Sequence, residues 1–328
     1  MRTPMLITVL LLYIVAMPVV VQAGQARAVP EVGILLPIQR GDYDGEKDPN
    51  KVAFMGGLEE LGYVEGKNIH VELRVPRKPE DVAAMAADLV NRKVDVIATG
   101  GEEPIEAVSR ATTTIPIVII ACDRVDRLVA TIARPGGNIT GMSCISSDLA
   151  SKRLELLQEM VPEFSRLSVL FNGDISAKAE EFREIQARAQ TMKIEVQSAD
   201  VRDPSGFATA FAAIKGGNAQ ALLALSEPLT LSHLKEIAEF AAEQRLPSMY
   251  GFREFCDAGG LLCYGANLKS EVHRYGYFID KILKGTKPGD IPIEEPTTLE
   301  LIVNARTAKL LGLSIPNSIL VGADEVIE

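Results

Sequence analysis

Apolar positions along this chain fall in short runs separated by longer amphipathic stretches, and the alternation is regular. Runs at 32–36, 94–99 and 117–122 are almost wholly apolar, as expected of strands covered on both faces, while 69–75 alternates through Ile69, Val71, Leu73 and Val75. Between them, 51–61 puts Val52, Met55, Leu58 and Leu61 on one helical stripe and stops at Gly62. A second amphipathic stretch, 79–91, opens on Pro79, a residue suited to a first helical turn. The same rhythm restarts after residue 145. Strands are predicted at 166–171, 194–199, 221–225 and 247–251, and helices at 149–160 behind a Ser147-Asp148 cap, 177–192, 204–215 and 231–245. A strand at 261–265, a helix over 267–284, a Pro-rich connection over 287–296, a strand at 299–303 and a helix over 304–311 ended by Gly312 complete the chain.

Strands alternating with helices predict parallel sheets joined by right-handed crossovers. The fold class expected is α/β, with two doubly wound parallel-sheet lobes. Pro135, Gly136 and Gly137 interrupt the rhythm midway, and the stretch 138–144 that follows reads as a strand crossing from one lobe to the other. The predicted division is 29–142 plus 267–288 for the first lobe and 143–266 plus 289–328 for the second, with a hinge of several segments. Ligands of such sheets sit outside the carboxyl ends of the strands.

Residues 1–28 stand apart. Arg2 precedes an apolar core over 5–21, and Ala26-Arg27-Ala28 or Val21-Gln22-Ala23 offers a small-residue cleavage site, the pattern of a secretory signal peptide. The expectation is export to the periplasm without stable membrane insertion. The whole chain carries a formal charge of −10, and −12 without Arg2 and Arg27, which argues against nucleic acid as a partner. Four cysteines are too few for a disulfide scaffold and read as buried free thiols, although Cys256 and Cys263 flank an Ala-Gly-Gly turn that a bridge can span in an oxidising compartment.

No catalytic motif is present, and His70, His233 and His273 lack metal-ligand spacing, so neither catalytic residues, a metal nor a cofactor is expected. The expected site is a set of strand-end residues: Gln39, Tyr43, Thr99, Gly100, Gly101, Glu102, Asp123, Ser143, Asn172, Glu227, Tyr250, Phe252, Arg253 and Tyr264. Asp123 or Glu227 would pair an ammonium. Arg253 and backbone N–H groups would hold a carboxylate, and Tyr43, Tyr250, Phe252 and Tyr264 would supply apolar faces.

Several blocks resemble, in order, the substrate-binding proteins of bacterial ABC transporters, in the group that includes a tryptophan/aromatic amino-acid-binding member. They are Gly57-Leu-Glu-Glu-Leu-Gly-Tyr-Val-Glu-Gly-Lys-Asn-Ile69, Ile115-Pro-Ile-Val118, Ala133-Arg-Pro-Gly-Gly-Asn-Ile-Thr-Gly141, Gly259-Gly-Leu-Leu262 with Tyr264-Gly265, Lys281-Ile-Leu-Lys-Gly-Thr-Lys-Pro288, and the end from Asn304 through Ile315-Pro316 to Glu328. The resemblance implies a type I periplasmic-binding fold that captures a small molecule, an amino acid or related carboxylate, and delivers it as a monomer to the membrane permease of an ABC importer. A receptor that presents its ligand to a sensor kinase, or an enzyme on the same fold, are the alternatives. One departure falls at the cleft: Asp123-Arg124-Val125 stands where the family usually has Asp-Pro-Val, and Asp126-Arg127-Leu128 where Gly-Leu-Val is common.

Overall fold

The computed structural model describes residues 29–38, 48–122, 125–145, 149–296 and 298–328. The first sheet holds β1 (Glu31–Leu35), β2 (His70–Arg74), β3 (Val96–Gly100), β4 (Ile117–Ala121) and β5 (Ile139–Ser143), all parallel, in the order β2-β1-β3-β4-β5. Helices α1 (Pro49–Glu59), α2 (Pro79–Arg92) and α3 (Glu102–Ala111) make the crossovers. β4 is buried at all five positions, as its unbroken Ile-Val-Ile-Ile-Ala run requires.

The second sheet repeats that winding. β6 (Arg166–Phe171), β7 (Glu195–Asp200), β8 (Ala221–Ala224), β9 (Ser248–Tyr250) and β10 (Leu262–Ala266) lie parallel in the order β7-β6-β8-β9-β10. β11 (Leu299–Asn304) joins antiparallel to β10, and β12 (Glu325–Ile327) parallel to β11. The helices here are α4 (Ala150–Met160), α5 (Ser176–Thr191), α6 (Phe207–Gly216), α7 (Pro228–Ser232), α8 (Leu234–Glu243) and α9 (Arg253–Asp257). Four apolar clusters, one on each face of each sheet, form the cores.

The chain passes between the sheets three times. It leaves the first after Cys144, and returns after Ala266 as α10 (Leu268–Leu283), which lays Tyr275, Phe278, Ile279 and Ile282 on the first sheet beside Phe54 and Leu58 of α1. Residues 291–294 then run along β5, with Ser143 N donating to Glu294 O (2.8 Å) and Glu294 N to Gly141 O (2.9 Å), before the chain enters β11. α11 (Ala305–Leu311) and α12 (Asn317–Gly322) close the second lobe. Among the described residues, no helix is long and apolar enough to cross a membrane.

Several expectations are corrected. Residues 139–143 are not a crossing strand; β5 is fully buried as the fifth strand of the first sheet, and the crossing begins beyond it. The helix expected over 231–245 starts at Pro228 and breaks at His233, giving α7 and α8. Residues 253–257, to which the pattern assigns no element, form α9, and α12 and β12 likewise lie where it predicts none. The cysteines are not free thiols. Cys122 is bonded to Cys144 and Cys256 to Cys263, with Cα separations of 4.5 and 6.0 Å. The first pair meets because β4 and β5 end in register, Ala121 opposite Ser143, which brings the next residues together. The Ser147-Asp148 cap lies outside the described residues.

Candidate functional site

The carboxyl ends of β1, β3, β4 and β5 face those of β6, β8, β9 and β10 across the line where the lobes meet. Each winding reverses direction between its first and third strands, the point at which doubly wound sheets open a crevice. On the first lobe, Thr99 is buried; its Oγ1 donates to Leu35 O (2.8 Å) and its carbonyl accepts from the Tyr275 hydroxyl. Thr99 therefore fixes the strand ends and does not offer its hydroxyl. Gly100 ends β3. Gly101 has φ +82°, a conformation that favours glycine, and starts α3. Ser143 accepts from Ile145 N through Oγ (3.3 Å), shaping the first crossing.

The lobes touch at this rim. Glu102 of α3 accepts from Ser176 Oγ at the start of α5 (3.3 Å). Arg127 reaches Ser176 Oγ (3.4 Å) and Glu180 Oε1 (3.3 Å) on the same helix. A side chain added at Gly101 would stand 3.4 Å from the Pro228 ring. Phe252, which follows β9, is buried in the first lobe's cluster with Phe54 and Tyr275. The arrangement is closed.

On the second lobe Asn172 makes an Asx turn, its Oδ1 accepting from Asp174 N (3.0 Å). Glu227 is buried where β8 gives way to α7. Its two carboxylate oxygens accept from Leu229 N (2.7 Å) and Thr230 N (2.8 Å) to cap α7. Burial pushes its carboxyl up, against the opposing pull of those N–H groups. Behind the strand ends lie three buried charged side chains. Glu181 accepts from Lys178 Nζ (2.7 Å) and Arg153 Nη1 (3.4 Å), and Arg153 Nε donates to the Tyr264 carbonyl (2.8 Å). The backbones of Gly251 and Gly265 pass over the guanidinium so closely that an added Cβ would sit 3.0 and 3.2 Å from Nη2. This cluster sets the height of the β9 and β10 ends, and the positions of its members are fixed by hydrogen bonds as well as charge.

Three expected site residues point elsewhere. Tyr250 is the last residue of β9, and its ring is wholly buried against Phe255, centroids 4.5 Å apart, in the second lobe's core. Arg253 pairs with Asp257 (3.4 Å) and Glu325 (3.0 Å) of its own lobe. The Tyr264 side chain lies in a groove with Lys152, Leu156, Leu299 and Ile319, on a face of the sheet and not at its end. Gln39, Tyr43 and Asp123 fall outside the described residues. Ser176, Arg153, Lys178, Glu181 and Glu271 are not among the expected site residues: the four charged ones read as solvated helix positions and Ser176 as an uncharged residue before the helix expected from 177, whereas Arg127 stands in the departure noted at the cleft. Among the described residues, no cluster of three His, Cys, Asp or Glu side chains is disposed to hold a metal.

Two doubly wound lobes, joined by three crossings and in contact along their strand ends, have the type I periplasmic-binding fold. The chain belongs to the ABC transporter substrate binding protein family, whose model matches residues 44–327. It is a family of binding proteins, not enzymes. A tyrosine-binding protein of Clostridioides difficile (strain R20291) is 26% identical over 285 residues, covering 85% of this chain and 81% of its own. An ABC domain from Streptococcus pneumoniae, solved in complex with L-Trp, superposes with a TM-score of 0.81 at 21% identity, covering 91% of this chain and 100% of its own. A conserved domain protein from Vibrio cholerae gives 0.82 at 22% identity, covering 91% and 99%.

Proposed function

We propose that this protein is the exported receptor of an ABC importer for an amino acid, with an aromatic side chain favoured, and that it presents its closed, loaded form to the membrane permease as a monomer. The observation that carries the reading is the closed contact of the two lobes at their strand ends, through Glu102 and Arg127 on one side and Ser176 and Glu180 on the other. A ligand that touches both lobes stabilises that form by its differential affinity for closed over open. The tyrosine and L-Trp named for two relatives support an aromatic amino acid as the cargo. The apolar leader over 5–21 and the two bonded cysteine pairs support an oxidising, extracytoplasmic location, the periplasm. In this reading the lobes pivot where the chain passes between sheets: after Cys144, after Ala266 and between Glu294 and β11.

A thermal-shift screen of the mature chain against amino acids, sugars, purines and organic acids tests it. An amino acid at one hundred times its dissociation constant is expected to add about 2.7 kcal/mol of stability. A shift by a sugar or purine, with none by any amino acid, contradicts the proposed cargo.

A further inference from the structure

Glu271 sits on α10 where that helix begins its packing on the first sheet, and only 7% of it is exposed. Its Oε2 is buried, and no donor reaches it among the described residues. Fold stability does not explain such a group, because an ionised carboxylate out of water without a donor costs several kcal/mol. Burial alone pushes this carboxyl up to about 7. Its place in the fold says where it looks. Four residues further along the same helix face, Tyr275 donates its hydroxyl to Thr99 O at the carboxyl end of β3. Glu271 therefore lies one helical turn, about 6 Å, nearer the crossing than Tyr275, and helical side chains lean toward the helix N-terminus, here the crossing side. Asn267 anchors that end: its Oδ1 caps Ser270 N (2.9 Å) and its Nδ2 donates to Glu300 of β11 (2.9 Å). Phe252 and Leu231 of the second lobe join the same apolar cluster as Tyr275, so lobe closure covers this corner of the cleft.

We infer that Glu271 is the ammonium-binding carboxylate of the cleft, its Oε2 accepting from the α-amino group of the bound amino acid. The contrast with Glu227 carries the choice: both Glu227 oxygens are occupied by backbone N–H groups of α7, whereas Glu271, one turn of α10 nearer the crossing than Tyr275, keeps a buried oxygen that no donor reaches among the described residues; Glu254 and Glu300 also have such an oxygen but belong to α9 and β11 of the second lobe. An –NH3+ group supplies the missing donor together with the missing charge. A charge-assisted pair in a closed, water-excluded cleft discriminates strongly against a ligand lacking the amine. This inference rests on the proposed amino-acid cargo.

The experiment is calorimetric titration of wild type and Glu271→Gln with L-tyrosine and L-tryptophan, each beside its desamino analogue, 3-(4-hydroxyphenyl)propionate or indole-3-propionate. Wild type is expected to bind the amino acid at least about thirtyfold more tightly than the analogue, and Glu271→Gln to lose that advantage while binding the analogue as wild type does. Gln keeps the size and removes a buried charge, so the variant is expected to melt no lower than wild type without ligand; Glu271→Met is the second variant should Gln fail to fold. Unchanged amino-acid affinity in the variant overturns the assignment and leaves the cargo intact. Equal loss of amino acid and analogue overturns it too, because that is a structural effect. If wild type binds no amino acid, the cargo is wrong and the ammonium assignment falls with it.

Discussion

Glu227 and Glu271 are both buried glutamates near the cleft, and their surroundings give them opposite work. Glu227 is held by Leu229 N and Thr230 N, the reciprocal arrangement being completed by Glu227 N donating to Thr230 Oγ1 (3.2 Å). It is a structural cap, so Glu227→Ala is expected to cost about 1 kcal/mol, lowering the melting temperature of the unliganded protein by roughly 2–4 °C. Ligand affinity should stay within about threefold. Thermal melts and calorimetry on the one variant check both halves, and the reverse pattern, unchanged melting with lost binding, would return Glu227 to the ligand. Nothing in the sequence separates the two glutamates. Glu227-Pro228 looks like a strand-end loop and Glu271 like one more charge on a helix, until α7 and the first sheet are set against them.

At the scale of elements, legibility followed length and pattern. β4, five buried apolar residues, and α10, with its stripe at helical spacing, were readable because each carries its own period. α9 and α12, five and six residues long, and β12, with three, are too short to show one. Site residues depended on strand boundaries to within a residue or two. Tyr250 and Tyr264 read as strand-end residues of the strands expected at 247–251 and 261–265; both lie within strands, where side chains project to the faces of the sheet and leave the end to the residues that follow. The cysteines turned on pairing of elements. Cys122 and Cys144 are 22 apart in sequence and become neighbours only through the β4–β5 register, so their bridge closes a longer loop than Cys256–Cys263, separated by 7. Loop entropy makes the first worth about 3 kcal/mol and the second about 2. Melts of the two double-serine variants are expected to show the larger loss for Cys122/Cys144. An equal or reversed order would mean that the bridges act through something other than loop closure.

At the scale of the molecule, two copies of one winding produce one site because the chain passes between them three times. Each crossing is short, and each sheet keeps its own core. Arg127–Glu180, an ion pair across the rim, is partly exposed and contributes at most about 1 kcal/mol. Such a pair does not by itself hold the lobes shut, and in the proposed reading the ligand's differential affinity decides between open and closed. Glu102, Ser176 and Arg127 therefore report closure but do not enforce it.

That claim, closure driven by an amino acid held between the lobes, is tested most directly by small-angle X-ray scattering of the mature protein during titration with L-tyrosine or L-tryptophan. The radius of gyration is expected to contract and to saturate at one ligand per chain, with the loaded curve matching the closed arrangement described above. Full occupancy, verified by calorimetry on the same sample, without any contraction would contradict it.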